Sequence, residues 1–273
     1  MTRRILSLFL LLSAVWAVVS GPADAPVPPR PGVHADCAAA LADRLGPVRV
    51  LGCDPRGRGL AVLALGDPAT AAAVAVLVPG ADTDLARLAD DLLPERRPFG
   101  WARALADAGG PDLAVVLWVG YRTPQGLGLD AATGRLARAG AVALVRFVDE
   151  LDALGRVTVV GHSYGAVVAA LAGPDLAADD LVLLASPGAR AGSAAELGTR
   201  ARVWAARAPG DWIGRVPHLR LGDLGHGTDP TDPAFGARLL PTGGGAGHAG
   251  YFRPGSATLA AVADVALGRG ARA

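Results

Sequence analysis

Apolar and polar positions along the chain change rhythm twice. Residues 48–51 and 60–65 are short apolar stretches flanking the turn-rich Asp54-Pro55-Arg56-Gly57-Arg58-Gly59, which predicts a hairpin. Beyond it, apolar runs too short to be helices alternate with segments of helical periodicity. Strands are expected over residues 73–78, 115–119, 157–160, 181–184 and 203–206. Helices are expected over residues 36–45, 84–93 with Thr83 as N-cap, 131–154, 166–172, and 258–267 with Ser256 near its N-cap. Such alternation builds a mostly parallel sheet with helices on both faces, here with an antiparallel edge at its N-terminal end. The expected class is α/β. Between Ser186 and Arg202 there is room for one short helix, so little or no cap domain is expected.

The first residues, Met1-Thr2-Arg3-Arg4, precede an apolar run over about residues 5–19 that is broken by Gly21-Pro22. A basic start, apolar middle and small-residue exit form a signal-peptide pattern. The run is shorter than the ~20 residues of a spanning helix, but Pro26 directly after Ala23-Asp24-Ala25 suits cleavage poorly. Residues 1–22 are therefore expected to be a signal peptide or a membrane anchor, 23–35 a Pro-rich linker, and 36–273 one domain. The protein is expected to be exported, either extracellular or anchored to the outer face of the cytoplasmic membrane through its N-terminal segment. Cys37 and Cys53 are the only cysteines and are expected to pair in such a compartment.

Composition narrows the chemistry. A formal net charge of +1 gives no field to attract nucleic acid. No lysine occurs, which excludes a Schiff base to a pyridoxal cofactor and a Walker lysine. Gly245-Ala246-Gly247-His248-Ala249-Gly250 fits the dinucleotide pattern G-x-G-x-x-G but opens no helix. No His or Cys pair has ligand spacing on a shared helix. Neither cofactor nor metal is expected.

Gly161-His162-Ser163-Tyr164-Gly165 is a G-x-S-x-G motif, a weak signal alone. Its setting strengthens it, because the β-branched Val157-Thr158-Val159-Val160 precedes it and the small-residue run Ala166-Val167-Val168-Ala169-Ala170-Leu171 follows. A strand turning sharply into a helix strains the central residue and tolerates only small neighbours, and it raises Ser163 above the carboxyl end of the sheet. In the chain order serine, acid, histidine, His248 is the preferred base, with His226 as the alternative and His218 a further candidate. Asp211, after a strand and the turn Ala208-Pro209-Gly210, is the preferred acid, with Asp229 as the alternative and Asp232 beside it. The oxyanion hole is expected from the backbone N–H of Tyr164 and one from the loop after residue 78, either Ala81 or Gly80, since Pro79 cannot donate.

The motif, together with Ala185-Ser186-Pro187-Gly188, Val203-Trp204-Ala205-Ala206, Gly210-Asp211, Asp229-Pro230, Phe235-Gly236-Ala237-Arg238 and the run from Thr242-Gly243-Gly244 to Gly250-Tyr251-Phe252, resembles a domain-of-unknown-function family. That family belongs to the α/β-hydrolase superfamily and is common in high-GC Gram-positive bacteria. The resemblance covers about residues 74–265. It implies an α/β-hydrolase fold and a Ser-Asp-His triad, and it names no substrate. The expected activity is hydrolysis of an ester or related acyl bond on a small-molecule or lipid-like substrate through an acyl-enzyme on Ser163. The alternatives are an envelope acyltransferase using the same triad and a non-catalytic binding protein on a hydrolase fold. Tyr164, Trp212, Tyr251 and Phe252 adjoin the triad positions and are candidates for the acyl site.

Overall fold

A computed structural model describes residues 24–90, 92–151, 153, 155–243 and 247–269. The N-terminal apolar run and residues 244–246 of the Gly-rich stretch lie outside the described residues. Eight strands form one sheet: β1 (Arg49–Asp54), β2 (Leu60–Leu65), β3 (Ala73–Val78), β4 (Leu113–Val119), β5 (Arg156–His162), β6 (Asp180–Leu184), β7 (Arg202–Ala206) and β8 (Arg238–Leu239). Their order is β1-β2-β4-β3-β5-β6-β7-β8. β1, β2 and β4 pair antiparallel, and every pairing from β4 through β8 is parallel. The fold is α/β with an antiparallel edge, as the apolar rhythm predicts.

Period-two alternation sorts each central strand between two cores. Val74, Val76 and Val78 of β3 join a cluster with helices α4 (Arg135–Asp149) and α5 (Tyr164–Ala172) on one face. Ala73, Ala75 and Leu77 join a second cluster with α1 (Ala35–Leu45), α2 (Pro98–Gly109) and α6 (Ala257–Ala266) on the other. The residues of β3 are wholly buried because both faces are covered.

Two expected helices are corrected. Residues 84–90 and 92–93 form turns and bends with irregular backbone between them, not a helix. Asp84 accepts from Ala86 N and Arg87 N, and Asp90 accepts from Leu92 N and Leu93 N, so these carboxylates take the amide protons a helix would use. The helix on this face is α2, which begins at Pro98, where the missing N–H costs nothing. The long helix expected over residues 131–154 is instead a turn, α3 (Leu129–Ala132), and α4, broken at Thr133-Gly134. Tyr164 causes the break: its hydroxyl donates to Thr133 O at 2.7 Å and accepts from Ala137 N at 3.1 Å. β8, two residues long, was too short to show in the pattern.

Residues 24–34 of the Pro-rich segment carry no helix or named strand, yet they lie against the domain. Ala25 is buried in the first core, Asp24 pairs with Arg138, and Arg30 pairs with Glu150. Gly32 O accepts from Cys53 N at 2.9 Å and Cys53 O from His34 N at 3.1 Å. Cys37 and Cys53 form a disulfide that ties α1 to β1.

Strand order reverses at β3, with β4 on one side and β5 on the other. In an open α/β sheet the crevice outside the carboxyl ends of the strands at such a point is where ligands bind. The loops leaving β3 and β5 are Pro79-Gly80-Ala81 and the Ser163 turn.

Candidate active site

Ser163 sits between β5 and α5 with φ 57° and ψ −126°, a conformation costly for a residue with a Cβ. The surrounding glycines make it possible. A Cβ on Gly161 would lie 2.6 Å from Ala166 Cα, and one on Gly165 2.1 Å from Val78 O. A Cβ on Gly80 would lie 2.7 Å from Ser163 Cβ and 2.9 Å from Tyr164 N, so the loop after β3 presses directly on the serine turn.

Three expected residues meet here. Ser163 Oγ and His248 Nε2 are 2.9 Å apart, and His248 Nδ1 lies 2.8 and 3.1 Å from the two oxygens of Asp211. His248 Nδ1–H donates to the carboxylate, which keeps the proton on Nδ1 and leaves Nε2 as acceptor for the serine hydroxyl. His248 stands in a 3₁₀ stretch, Gly247–Phe252, after the Gly-rich loop. Asp211 caps the 3₁₀ turn Trp212–Arg215 after β7, accepting from Ile213 N at 2.9 Å. Its second oxygen accepts from the Tyr251 hydroxyl at 2.6 Å, and that hydroxyl accepts from Ala208 N at 2.9 Å. Burial raises the Asp211 pKa, but hydrogen bonds from His248, Ile213 and Tyr251 outweigh it, and the carboxyl lies below its usual value. Burial, then the Asp211 bond, push the Tyr251 phenol up, so it stays a donor.

His162, inside the motif, also reaches the site. Its Nε2–H donates to His248 O at 2.7 Å, and its ring lies 4.6 Å from Trp101 and 4.9 Å from His248. Burial, reinforced by the neighbouring His248, lowers its pKa to about 3. It is a neutral ring that fixes the backbone of His248. No sequence pattern signals this contact, because its partner is 86 residues away.

The alternative residues are bonded to other groups. Asp229 accepts from Arg207 at 2.8 Å and from the amide and hydroxyl of Thr231, with His218 3.6 Å away. His226 donates from Nε2 to Ala131 O at 2.8 Å and packs edge-on against Tyr164. Burial lowers its pKa to about 4. Asp232 caps the 3₁₀ turn Pro233–Phe235. The hydrogen bonds and ion pairs of Asp229, His226 and Asp232 go to residues other than Ser163 and His248, although His226 lines the same cavity as Ser163.

Of the expected oxyanion donors, Tyr164 N opens α5, where a first-turn amide lacks an intrahelical acceptor. Ala81 N makes no backbone bond among the described residues, and Ala81 lines the same cavity as Ser163. Gly80 serves close approach instead. That cavity, about 390 Å³, is lined by Leu127, Val216, Leu219, Leu221 and Leu224 and by Trp212. Trp212 packs 4.7 Å from the His248 ring. Of the aromatics expected to shape an acyl site, Tyr164 and Trp212 line it, whereas Tyr251 holds Asp211 and Phe252 is buried against Trp101. The leucine wall comes from the loop after β7 and from the turn before α3, whose sequences carry no pattern of their own. A second hollow, about 630 Å³, lies between the Pro-rich segment and the β1–β2 turn and shares no lining residue with the first. Among the described residues, no three of His, Cys, Asp and Glu are grouped to hold a metal ion.

A family model described as alpha/beta hydrolase matches residues 54–221. An uncharacterized protein of Mycobacterium tuberculosis is 35% identical over 262 residues, covering 82% of this chain and 40% of the relative, so this chain spans less than half of that protein's length. An uncharacterized protein of Mycobacterium bovis is 36% identical over 159 residues, covering 53% of this chain and 58% of the relative. Among solved structures, an esterase from Pyrobaculum calidifontis superposes with a TM-score of 0.50 at 14% identity, covering 87% of this chain and 92% of its own.

Proposed function

The chain belongs to the α/β-hydrolase family, and from that premise we propose that it is a serine esterase acting through Ser163, His248 and Asp211. The observation that carries the reading is the continuous contact from Ser163 Oγ through His248 to Asp211, at 2.9 and 2.8 Å. Those separations are within reach for proton transfer.

Ser163 Oγ attacks the acyl carbon while its proton passes to His248 Nε2, and Asp211 stabilises the imidazolium. The carbonyl oxygen, now an anion, accepts from Tyr164 N–H and Ala81 N–H. Collapse breaks the bond between the acyl carbon and the alcohol oxygen, and the alcohol leaves with the proton from His248. Water, deprotonated by His248, then attacks the acyl-enzyme, releasing the acid and restoring Ser163. The Cys37–Cys53 disulfide supports an oxidising compartment as the place where this occurs.

A fluorophosphonate probe is expected to label the wild type and not Ser163→Ala, and the variant is expected to lose ester turnover by at least about 10⁴-fold. Equal labelling of both proteins would remove Ser163 from the mechanism.

A further inference from the structure

We infer that the cavity at Ser163 is a site for an uncharged fatty-acyl chain, which makes the substrate a medium-chain acyl ester rather than an acetyl ester or one with a charged acyl group. This rests on the proposed esterase chemistry. Ser163 stands in the wall of the cavity, so whatever fills it is joined to the carbon under attack. The same cavity is lined by Val216, Leu219, Leu221 and Leu224, together with Leu127 and Ala132. None of the described residues lining it is Asp, Glu or Arg, and the one histidine, His226, is held neutral with a pKa of about 4. A carboxylate or ammonium group would lose its water there without finding a partner.

Size sets the chain length. At 390 Å³ the cavity is well over twice the ~150 Å³ hollow that takes up benzene, which leaves room for an acyl chain of roughly eight to twelve carbons. The mouth continues the wall, since Leu127, Leu219 and Leu221 are exposed at 76%, 75% and 65%. Single exposed leucines need no explanation, but three around one opening extend the apolar path outward.

The test is a series of p-nitrophenyl esters from acetate to palmitate, run on the full chain beside fluorophosphonate labelling. kcat/KM is expected to climb by up to about four-fold per methylene and to peak between octanoate and dodecanoate. Butyrate is expected to exceed the equally long succinate monoester by about a hundred-fold. Leu224→Trp and Ala132→Phe each put a larger side chain on a residue that lines the cavity. Each variant that still labels with fluorophosphonate is expected to show a decanoate-to-acetate ratio at least about ten-fold lower than wild type. If the wild type labels at Ser163 and turns over acetate but the chain-length profile is flat, the acyl-chain site is overturned and the esterase reading stands. Equal turnover of butyrate and succinate monoester, or an unchanged ratio in labelled variants, overturns it likewise. Absence of labelling on Ser163 overturns both.

Discussion

His162 shows what a single side chain outside the reacting triad contributes. It is buried, neutral, and joined to the backbone of His248 rather than to its ring. Its effect must therefore be positional: without the bond, the peptide bearing His248 is free to shift, and small displacements of a base are costly in rate. His162→Phe keeps an aromatic ring against Trp101 and Phe252 and deletes only the bond. It is expected to lower kcat about ten-fold with KM nearly unchanged, as steady-state kinetics on an ester would show. The same residue governs acid stability. An unfolded histidine titrates near 6.5, whereas burial holds His162 at about 3 and His226 at about 4, so below pH 6.5 the unfolded chain takes up protons that the folded one refuses. Each histidine then contributes stability that is complete above pH 6.5 and is lost as pH falls, on the order of 2 kcal/mol by pH 5. Asp211, Asp180 and Asp223, whose pKa values are lowered, act in the same direction only at more acid pH. Thermal melts at pH 7 and pH 5 should show a smaller acid loss in His162→Phe than in wild type, and an equal loss would contradict the assignment.

At the scale of elements, the strand-to-helix turn is legible in sequence because everything it needs is local. A β-branched run, two glycines flanking a serine and a small-residue helix follow one another along the chain, and the structure places the serine where that order requires. Asp211 and His248 were legible for the weaker reason that chain order and a preceding strand or Gly-rich loop point to them. Residues 84–93 were misread because periodicity does not record that Asp84 and Asp90 take amide protons from their own turns. The neighbouring helix α2 was missed although Pro98 at its start is a recognised signal. Gly100 obscured it, yet that glycine answers packing, since a Cβ there would lie 1.9 Å from Pro94 O. The break before α4 was illegible because its cause, Tyr164, is about thirty residues downstream. Tyr164→Phe tests that cause. It leaves Thr133 O and Ala137 N without their buried partner, which costs about 1–3 kcal/mol and should appear as a lower denaturation midpoint. Gly165→Ala should cost more, because its Cβ meets the backbone oxygen of Val78 at 2.1 Å and no side chain can yield. A Gly165→Ala protein as stable as wild type would show that α5 slides freely over β3.

Across the whole molecule, the site and the disulfide stand apart in the sheet. Ser163 follows β5 near the middle, while Cys53 belongs to β1 at the antiparallel edge, with β2, β4 and β3 between. The edge needs holding. Among the described residues β1 pairs with β2 alone and carries a register irregularity between Val50 and Gly52, and its outer flank bonds to the chain around Gly32 to His34. The disulfide closes a loop between positions 16 residues apart, which in the chain-entropy picture removes about 3 kcal/mol worth of freedom from the unfolded state. For a domain of this size that corresponds to a melting shift of about 6–12 °C. The double variant Cys37→Ser with Cys53→Ser, or the wild type under a reductant, is therefore expected to melt lower by that amount. At 25 °C it should retain ester turnover, because no residue of the catalytic contact lies on α1 or β1. If turnover fell in step with the disulfide while the fold persisted, the edge and the β3–β5 crevice would have to move as one body. The separate cores on the two faces give the route such coupling would take: Cys53, Leu77 and Phe252 share one of them, and Phe252 ends the 3₁₀ stretch that carries His248.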